Sequence, residues 1–294
     1  MERYMRAHNG LFVGQCSVEL VYYLPHALKP GQRMRAERQV AFAGGTATNA
    51  AIAFSAFDNV SSLVTGLGEH PLSEVARADI MDRAVALIDL DSLPHRPPSV
   101  GVVLVDLESH VYSVAYATTY ARKLRSLDLG EAIFHDVEVV LLDGAYMPQA
   151  LEAASMARER GIPVVLDAGV WREGMQPLLP LVDYLIASRA FRLPKCNNVG
   201  EMFAALHSFG VGHIAVTRGE KPVLAYEDGV ISEIPIARVR VLDSLGAGDI
   251  LHGAFCHYIL ERDFKNALEM ASRAATLSCT ALGPRAWIEQ IKSP

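Results

Sequence analysis

The stretch Val241-Leu-Asp-Ser-Leu-Gly-Ala-Gly-Asp-Ile-Leu-His-Gly-Ala-Phe255 runs a Gly-Ala-Gly turn straight into an apolar helical segment. A helix that begins this way leaves backbone N–H groups unpaired at the positive end of its dipole. Glycines at 246 and 248 would let an anion come close to them. The amides of residues 245–248, with Gly246, Ala247 and Gly248 at the centre, therefore form a candidate phosphate cradle. Asp249 stands in the same cradle. Taken alone, an Asp in a first helical turn is explained by capping and the dipole. Beside an anion cradle it can accept the proton of an attacking hydroxyl, while the amides stabilise charge on a transferred phosphoryl group. Asp243 and Ser244 open the loop, and Asp243 can either order it or reach a Mg²⁺ ion through water.

Far upstream, Gly44-Gly45-Thr-Ala-Thr-Asn49-Ala-Ala enters an Ala-rich helix. By itself this reads as a strand-to-helix turn with an incidental Asn49. In the same way, Gly219 of Thr217-Arg-Gly219 reads on its own as a turn glycine, and Ala271, Ser272 and Ala275 as small residues for close helix packing. Other chemistries lack their signals. No G-x-x-x-x-G-K-S/T loop occurs, and Gly210-Val-Gly-His-Ile-Ala215 follows a helix and enters a strand, the reverse of a dinucleotide fingerprint. The ten histidines give no H-x-x-x-H pair, and the helical pattern of the 250–260 segment explains His252 and His257 as packing residues.

The elements that must position these residues change character along the chain. A strand at 11–13 is followed by alternating segments at 18–24 and 34–42 around a Pro30-Gly31 turn, a small antiparallel sheet. A helix is expected over 48–57, then a strand through Ser-Ser-Leu-Val-Thr-Gly66, a helical segment over 72–86, and a hairpin pairing 101–106 with 111–115. From residue 137 onward, strands rich in Val, Ile and Leu (137–144, 162–169, 183–188, 213–219) alternate with helical segments (148–161, 172–182, 199–210). That alternation predicts a parallel sheet covered by helices on both faces, with helices at 250–260 and 264–281 closing the chain. The expectation is one α/β domain over 1–294, with a small β-sheet lid from about 15–43 and 98–118 above the carboxyl ends of the parallel strands.

Composition limits the function classes. With 51% hydrophobic and 20% charged residues the chain can bury a large core. A net charge of −6 without a basic stripe argues against a nucleic-acid partner. Cys16, Cys196, Cys256 and Cys279 form no C-x-x-C pair, so they read as reduced thiols rather than a zinc site or disulfide framework. No apolar run is long enough for a membrane span and none stands at the N-terminus, so a cytoplasmic location with no membrane partner is expected.

Asp243-Ser-Leu-Gly-Ala-Gly-Asp249 resembles the D-T-x-G-A-G-D signature of the ribokinase (PfkB) family, with Ser at 244 for Thr. The Gly44-Gly45…Asn49 turn resembles that family's N-terminal Gly-Gly element, in the right order and at the expected distance from the chain start. The resemblance implies a ribokinase-like three-layer α/β/α fold and an ATP- and Mg²⁺-dependent kinase acting on a sugar hydroxyl. It assigns Asp249 as general base, Gly44, Gly45, Asn49 and Glu19 to the sugar, and Thr217, Gly219, Asp243, Ser244, Ala271, Ser272 and Ala275 to the nucleotide. It also implies a homodimer through the lid. Glu19 stands where Asp is usual. Ser188-Arg-Ala-Phe191 replaces the family's N-x-x-E, which leaves the metal ligands unassigned, and Gly68-Glu-His-Pro-Leu-Ser73 keeps only Gly68 of G-x-D-x-x-G. The strand before Ser188 looks like the ketohexokinase-like branch, which implies a ketose. Two alternatives stay open: a nucleoside kinase, with Tyr22, Tyr23 or Tyr116 stacking on the base, and a non-catalytic sugar or nucleotide sensor.

Overall fold

The computed structural model describes residues 6–91, 93, 95–117, 124 and 131–292. Residue 118, the last of the expected lid, lies outside them. In chain order the first half gives β1 (Asn9–Val13), β2 (Ser17–Leu24), β3 (Arg38–Gly44), α1 (Thr46–Ser55), β4 (Val60–Thr65), α2 (Ser73–Asp82), β5 (Val85–Asp89), β6 (Ser99–Asp106) and β7 (Tyr112–Ala117). The second half gives β8 (Val139–Leu142), α3 (Met147–Glu159), β9 (Val164–Ala168), β10 (Tyr184–Ser188), α4 (Val199–Ser208), β11 (His213–Arg218), β12 (Lys221–Glu227), β13 (Val230–Ile234), α5 (Ala247–Tyr258), α6 (Phe264–Ser278) and α7 (Trp287–Lys292).

Nine strands form one sheet in the order β13-β12-β11-β10-β9-β8-β1-β4-β5. The seven from β11 to β5 run parallel, and β12 and β13 add an antiparallel edge. Alternation along the strands splits the core in two. Phe12, Leu63, Leu141, Val165 and Ile186 face α1, α2, α5 and α6. Leu11, Val13, Val64, Leu142, Leu166 and Leu185 face α3 and α4. Both faces are thus covered, which is why these strands read as continuous apolar runs. The fold is the three-layer α/β/α arrangement expected from the sequence.

A second sheet, β3-β2-β6-β7, pairs β2 with β6 in parallel and the outer strands antiparallel. Val21, Tyr23, Phe42, Val103 and Val105 make its own small core, against which Leu245 and Leu282 pack. One face of this sheet therefore rests on the loop that leads into α5.

Several boundaries differ from the sequence reading. The helix expected over 72–86 stops at Asp82, and Val85–Asp89 is a strand paired to β4. The 172–182 segment holds only a 3-10 turn, Gln176–Leu181, because Pro177 and Pro180 remove the N–H groups an α-helix needs. The strand expected from residue 34 begins at Arg38. The β12–β13 hairpin and α7 have no counterpart in the sequence reading.

Candidate active site

The small sheet, the start of α1 and the start of α5 enclose a cavity of about 380 Å³. Its walls include Glu19, Gly45, Asn49, Gly101, Tyr112 and the 244–249 loop, so residues drawn from two distant motifs meet.

Gly246 caps α5 in the left-handed conformation (φ 75°), which a glycine adopts without strain. No side chain caps this helix. Of the four amides expected as anion donors, Leu245 N donates to Asp243 Oδ1 (2.9 Å) and Ala247 N to Ser244 O (3.3 Å). Among the described residues the amides of Gly246, Gly248 and Asp249 have no partner, because the loop folds back on itself and occupies the other two. Beyond its own helix turn and chain neighbours, no atom of the described residues lies within 4 Å of where a Cβ at Gly248 would stand. The cradle is open on the side where a ligand would enter.

Asp243 is buried and fully engaged. Besides Leu245 N it accepts from Tyr23 Oη (3.0 Å) and Gly283 N (2.9 Å). It ties the small sheet and the 283 turn to the cradle, the loop-ordering half of its two expected roles. Tyr23 accordingly belongs to the small-sheet core rather than to a stacking surface.

Asn49, on the first turns of α1, donates from Nδ2 to Asp249 Oδ2 at 2.7 Å. Burial and the nearby carboxylates of Asp167 and Asp143 push the Asp249 carboxyl up to about 7, against the opposing effects of Asn49 and His252. A carboxyl poised near neutrality suits a general base. Asp143 directly follows β8 and Asp167 is the last but one residue of the neighbouring β9, and both are buried. Asp143 accepts from the amides of Gln15, Ala47 and Ala145, joining β1, α1 and β8. Asp167 Oδ2 lies 3.0 Å from His252 Nδ1, while His252 Nε2 lies 3.2 Å from Ile186 O. Burial holds His252 below its usual range and Asp167 well above its own. Nδ1 also lies 2.7 Å from Gly248 O, so both ring nitrogens of His252 face carbonyl acceptors, with the Asp167 carboxyl beside Nδ1. The sequence reading passed over these two aspartates. Their signal was present: Leu-Leu-Asp-Gly144 and Val-Leu-Asp-Ala-Gly169 each place an Asp at the carboxyl end of a parallel strand.

Glu19 lies in β2 opposite Gly101 of β6. A Cβ at Gly101 would stand 2.2 Å from Glu19 Oε2, and one at Gly44 would stand 2.0 Å from its Cγ. The two glycines thus make room for the side chain one methylene longer than Asp. Ser17 Oγ donates to Glu19 Oε1 (2.8 Å), and burial raises the carboxyl above its ordinary value. Gly45 has φ 99°, and a Cβ there would stand 2.3 Å from Gln15 O.

The other expected nucleotide contacts stand outside this cavity. Thr217 Oγ1 donates to Ala187 O, and Gly219 (φ 67°) turns the chain from β11 into β12. Ala271 and Ala275 are buried in the apolar core shared with α5. Ser272 is buried with no partner for its hydroxyl. Of the segment replacing N-x-x-E, Ser188 Oγ donates to Gly169 O, and Phe191 packs edge-on to Trp171 in the core.

Comparison with known proteins extends over nearly the whole chain. The model of the pfkB family of carbohydrate kinases matches residues 8–291. A ribokinase of Lactococcus lactis is 22% identical over 278 residues, covering 92% of this chain and 90% of that protein. Among solved structures, a provisionally named ribokinase from Agrobacterium tumefaciens superposes with a TM-score of 0.85 at 21% identity, covering 98% of this chain and 97% of the other. The ribokinase of Arabidopsis thaliana, solved with ribose and ATP, superposes with a TM-score of 0.76 at 20% identity, covering 98% and 100%. Among the described residues no helix is long and apolar enough to cross a membrane.

Proposed function

Since the chain belongs to the pfkB family of carbohydrate kinases, we propose that it transfers the γ-phosphate of ATP to a sugar hydroxyl, with Asp249 as general base. The observation that carries this reading is the meeting, 200 residues apart in sequence, of Asn49 and Asp249 beside three unpaired amides in one cavity. Glu19 and Asn49 bind and orient the sugar, and Asp249 takes the proton of the attacking hydroxyl. The amides of Gly246, Gly248 and Asp249 hold charge building on the transferred group. The fold shared with a ribokinase that holds ribose and ATP supports this division of the site.

Mg²⁺ brought in with ATP would neutralise phosphate charge. Among the described residues no three His, Cys, Asp or Glu side chains stand together as a cage. The small sheet acts as the lid over the sugar and excludes water. Its edge strand β7 is exposed along its whole length, which supports a homodimer through the lid.

Two experiments test the reading. Asp249→Asn should lower kcat by about 10²- to 10⁴-fold with ATP affinity nearly unchanged; normal turnover would remove Asp249 from the mechanism. Screening ketoses, aldoses, sugar phosphates and nucleosides for ATP-dependent ADP release should rank a free sugar first. A nucleoside in first place would favour the nucleoside-kinase reading, for which Tyr112 and Tyr116 in the cavity wall supply stacking surfaces. No release with any acceptor would favour a sensor.

A further inference from the structure

Arg285 lies between α6 and α7 and is largely covered despite its charge, its side chain 12% exposed. Its Nη1 donates to Asn49 Oδ1 (2.9 Å) and its Nη2 to Ala43 O (2.6 Å). Nη2 and Nε also donate to Asp79 Oδ2 at 3.1 and 3.3 Å, and the guanidinium sits 5.2 Å from the centre of the Phe42 ring. On its other side Asn49 donates to Asp249 Oδ2. A guanidinium can only donate and an ionised carboxylate can only accept. The Asn49 amide is therefore locked in one of its two flips. Reversing it would set NH₂ against the guanidinium and oxygen against the carboxylate.

We propose that Arg285, anchored by Asp79, is a positioning residue for phosphoryl transfer: it fixes the Asn49 amide so that one oxygen of Asp249 is held and the other is left for the acceptor hydroxyl. The inference rests on Asp249 being the base. Pairing with Asp79 alone would satisfy the charge of Arg285 without the reach to Asn49, so packing does not account for the third contact. The groups facing Asp249 are Asp143 and Asp167 at the ends of β8 and β9, His252 on α5, Asn49 on α1, Tyr112 on β7 and Arg285 itself. Against those carboxylates, loss of the ordered Asn49 N–H strengthens the hold of Asp249 on its proton.

The test measures kcat/KM from about pH 5.5 to 9 with saturating ATP and the first-ranked sugar of the acceptor screen, for Arg285→Gln, Arg285→Lys, Asn49→Ala and the double variant Asn49→Ala/Arg285→Gln. Melting temperature and ATP affinity are read in parallel. Arg285→Gln should lower kcat about 10- to 100-fold and move the acid limb upward by about half a pH unit or more, with ATP affinity nearly unchanged. In the Asn49→Ala background the same change should add little, since the group it positions is gone. An acid limb that stays in place while the melting temperature falls, or effects that add in the double variant, would overturn the proposal. Should Arg285→Gln not fold, Arg285→Lys keeps the charge, loses the fork, and carries the same test. Failure of the base itself shows separately, as turnover retained in Asp249→Asn.

Discussion

Gly248 is the residue at which the phosphate cradle separates from the fold. Beyond its own helix turn and chain neighbours, no atom of the described residues lies within 4 Å of its absent Cβ, so a side chain there would point into the open cavity. Gly248→Val should therefore leave the melting temperature within a degree or two, apart from the modest cost of a β-branched residue in a first helical turn, at about 0.5 kcal/mol. It should weaken ATP by about tenfold or more by crowding the amides. Calorimetric titration of the variant with an ATP analogue checks this, and an unchanged affinity would place the phosphates elsewhere. Asp249 shows how far residue types alone can be read. The Gly-Ala-Gly-Asp order marked it as an acid beside an anion cradle. Which amides are free depended on the loop folding back, with Asp243 and Ser244 claiming two of them. Nor could Arg285 be picked out, since a single arginine in a loop acquires meaning only when Asp79, Ala43 and Asn49 close around it.

Among the elements, the strands buried on both faces were the legible ones, because a continuous Val, Leu and Ile run has no other reading in an alternating α/β pattern. The β12–β13 hairpin escaped although Asp228-Gly229 sits between two alternating segments, a turn signal of the kind that predicts hairpins. The junction of α1, β1, β4 and α5, at the end of the sheet away from the cavity, carries a pH dependence of its own. His257 on α5 is fully buried, stacked on Phe57, and its Nδ1 accepts from Asn59 Nδ2 at 3.0 Å. Its Nε2 has no partner. Protonating Nδ1 would turn it toward another donor, and burial lowers the imidazole to about 4. The unfolded chain binds this proton at higher pH than the folded chain. Stability contributed by neutral His257 is therefore full above about pH 6.5 and is lost as pH falls toward 4, by roughly 2–3 kcal/mol. Urea midpoints measured between pH 7 and 4.5 should fall more steeply for the natural chain than for His257→Phe. Parallel curves would show that His257 does not titrate there.

At the scale of the whole molecule, β7 is an edge strand with all six residues exposed, among them Tyr112, Val114 and Tyr116. An open, apolar strand edge is a template for pairing, and a second copy of the same sheet is the simplest cover for it. The chain should sediment at twice its monomer mass, and Ser113→Lys, on the face of β7 away from the cavity-lining residues, should return it to the monomer. A natural chain that sediments as a monomer at all concentrations would leave that edge without this partner.

Tyr23 meets Asp243 across 220 residues and Arg285 meets Asn49 across 236. During synthesis, every strand of the large sheet has emerged once residue 234 leaves the ribosome, yet the clamp on Asn49 arrives some fifty residues later. A nascent chain halted in that interval would hold every strand of the large sheet while the Asn49 amide was still free to turn, so that amide is set only after the scaffold that carries it.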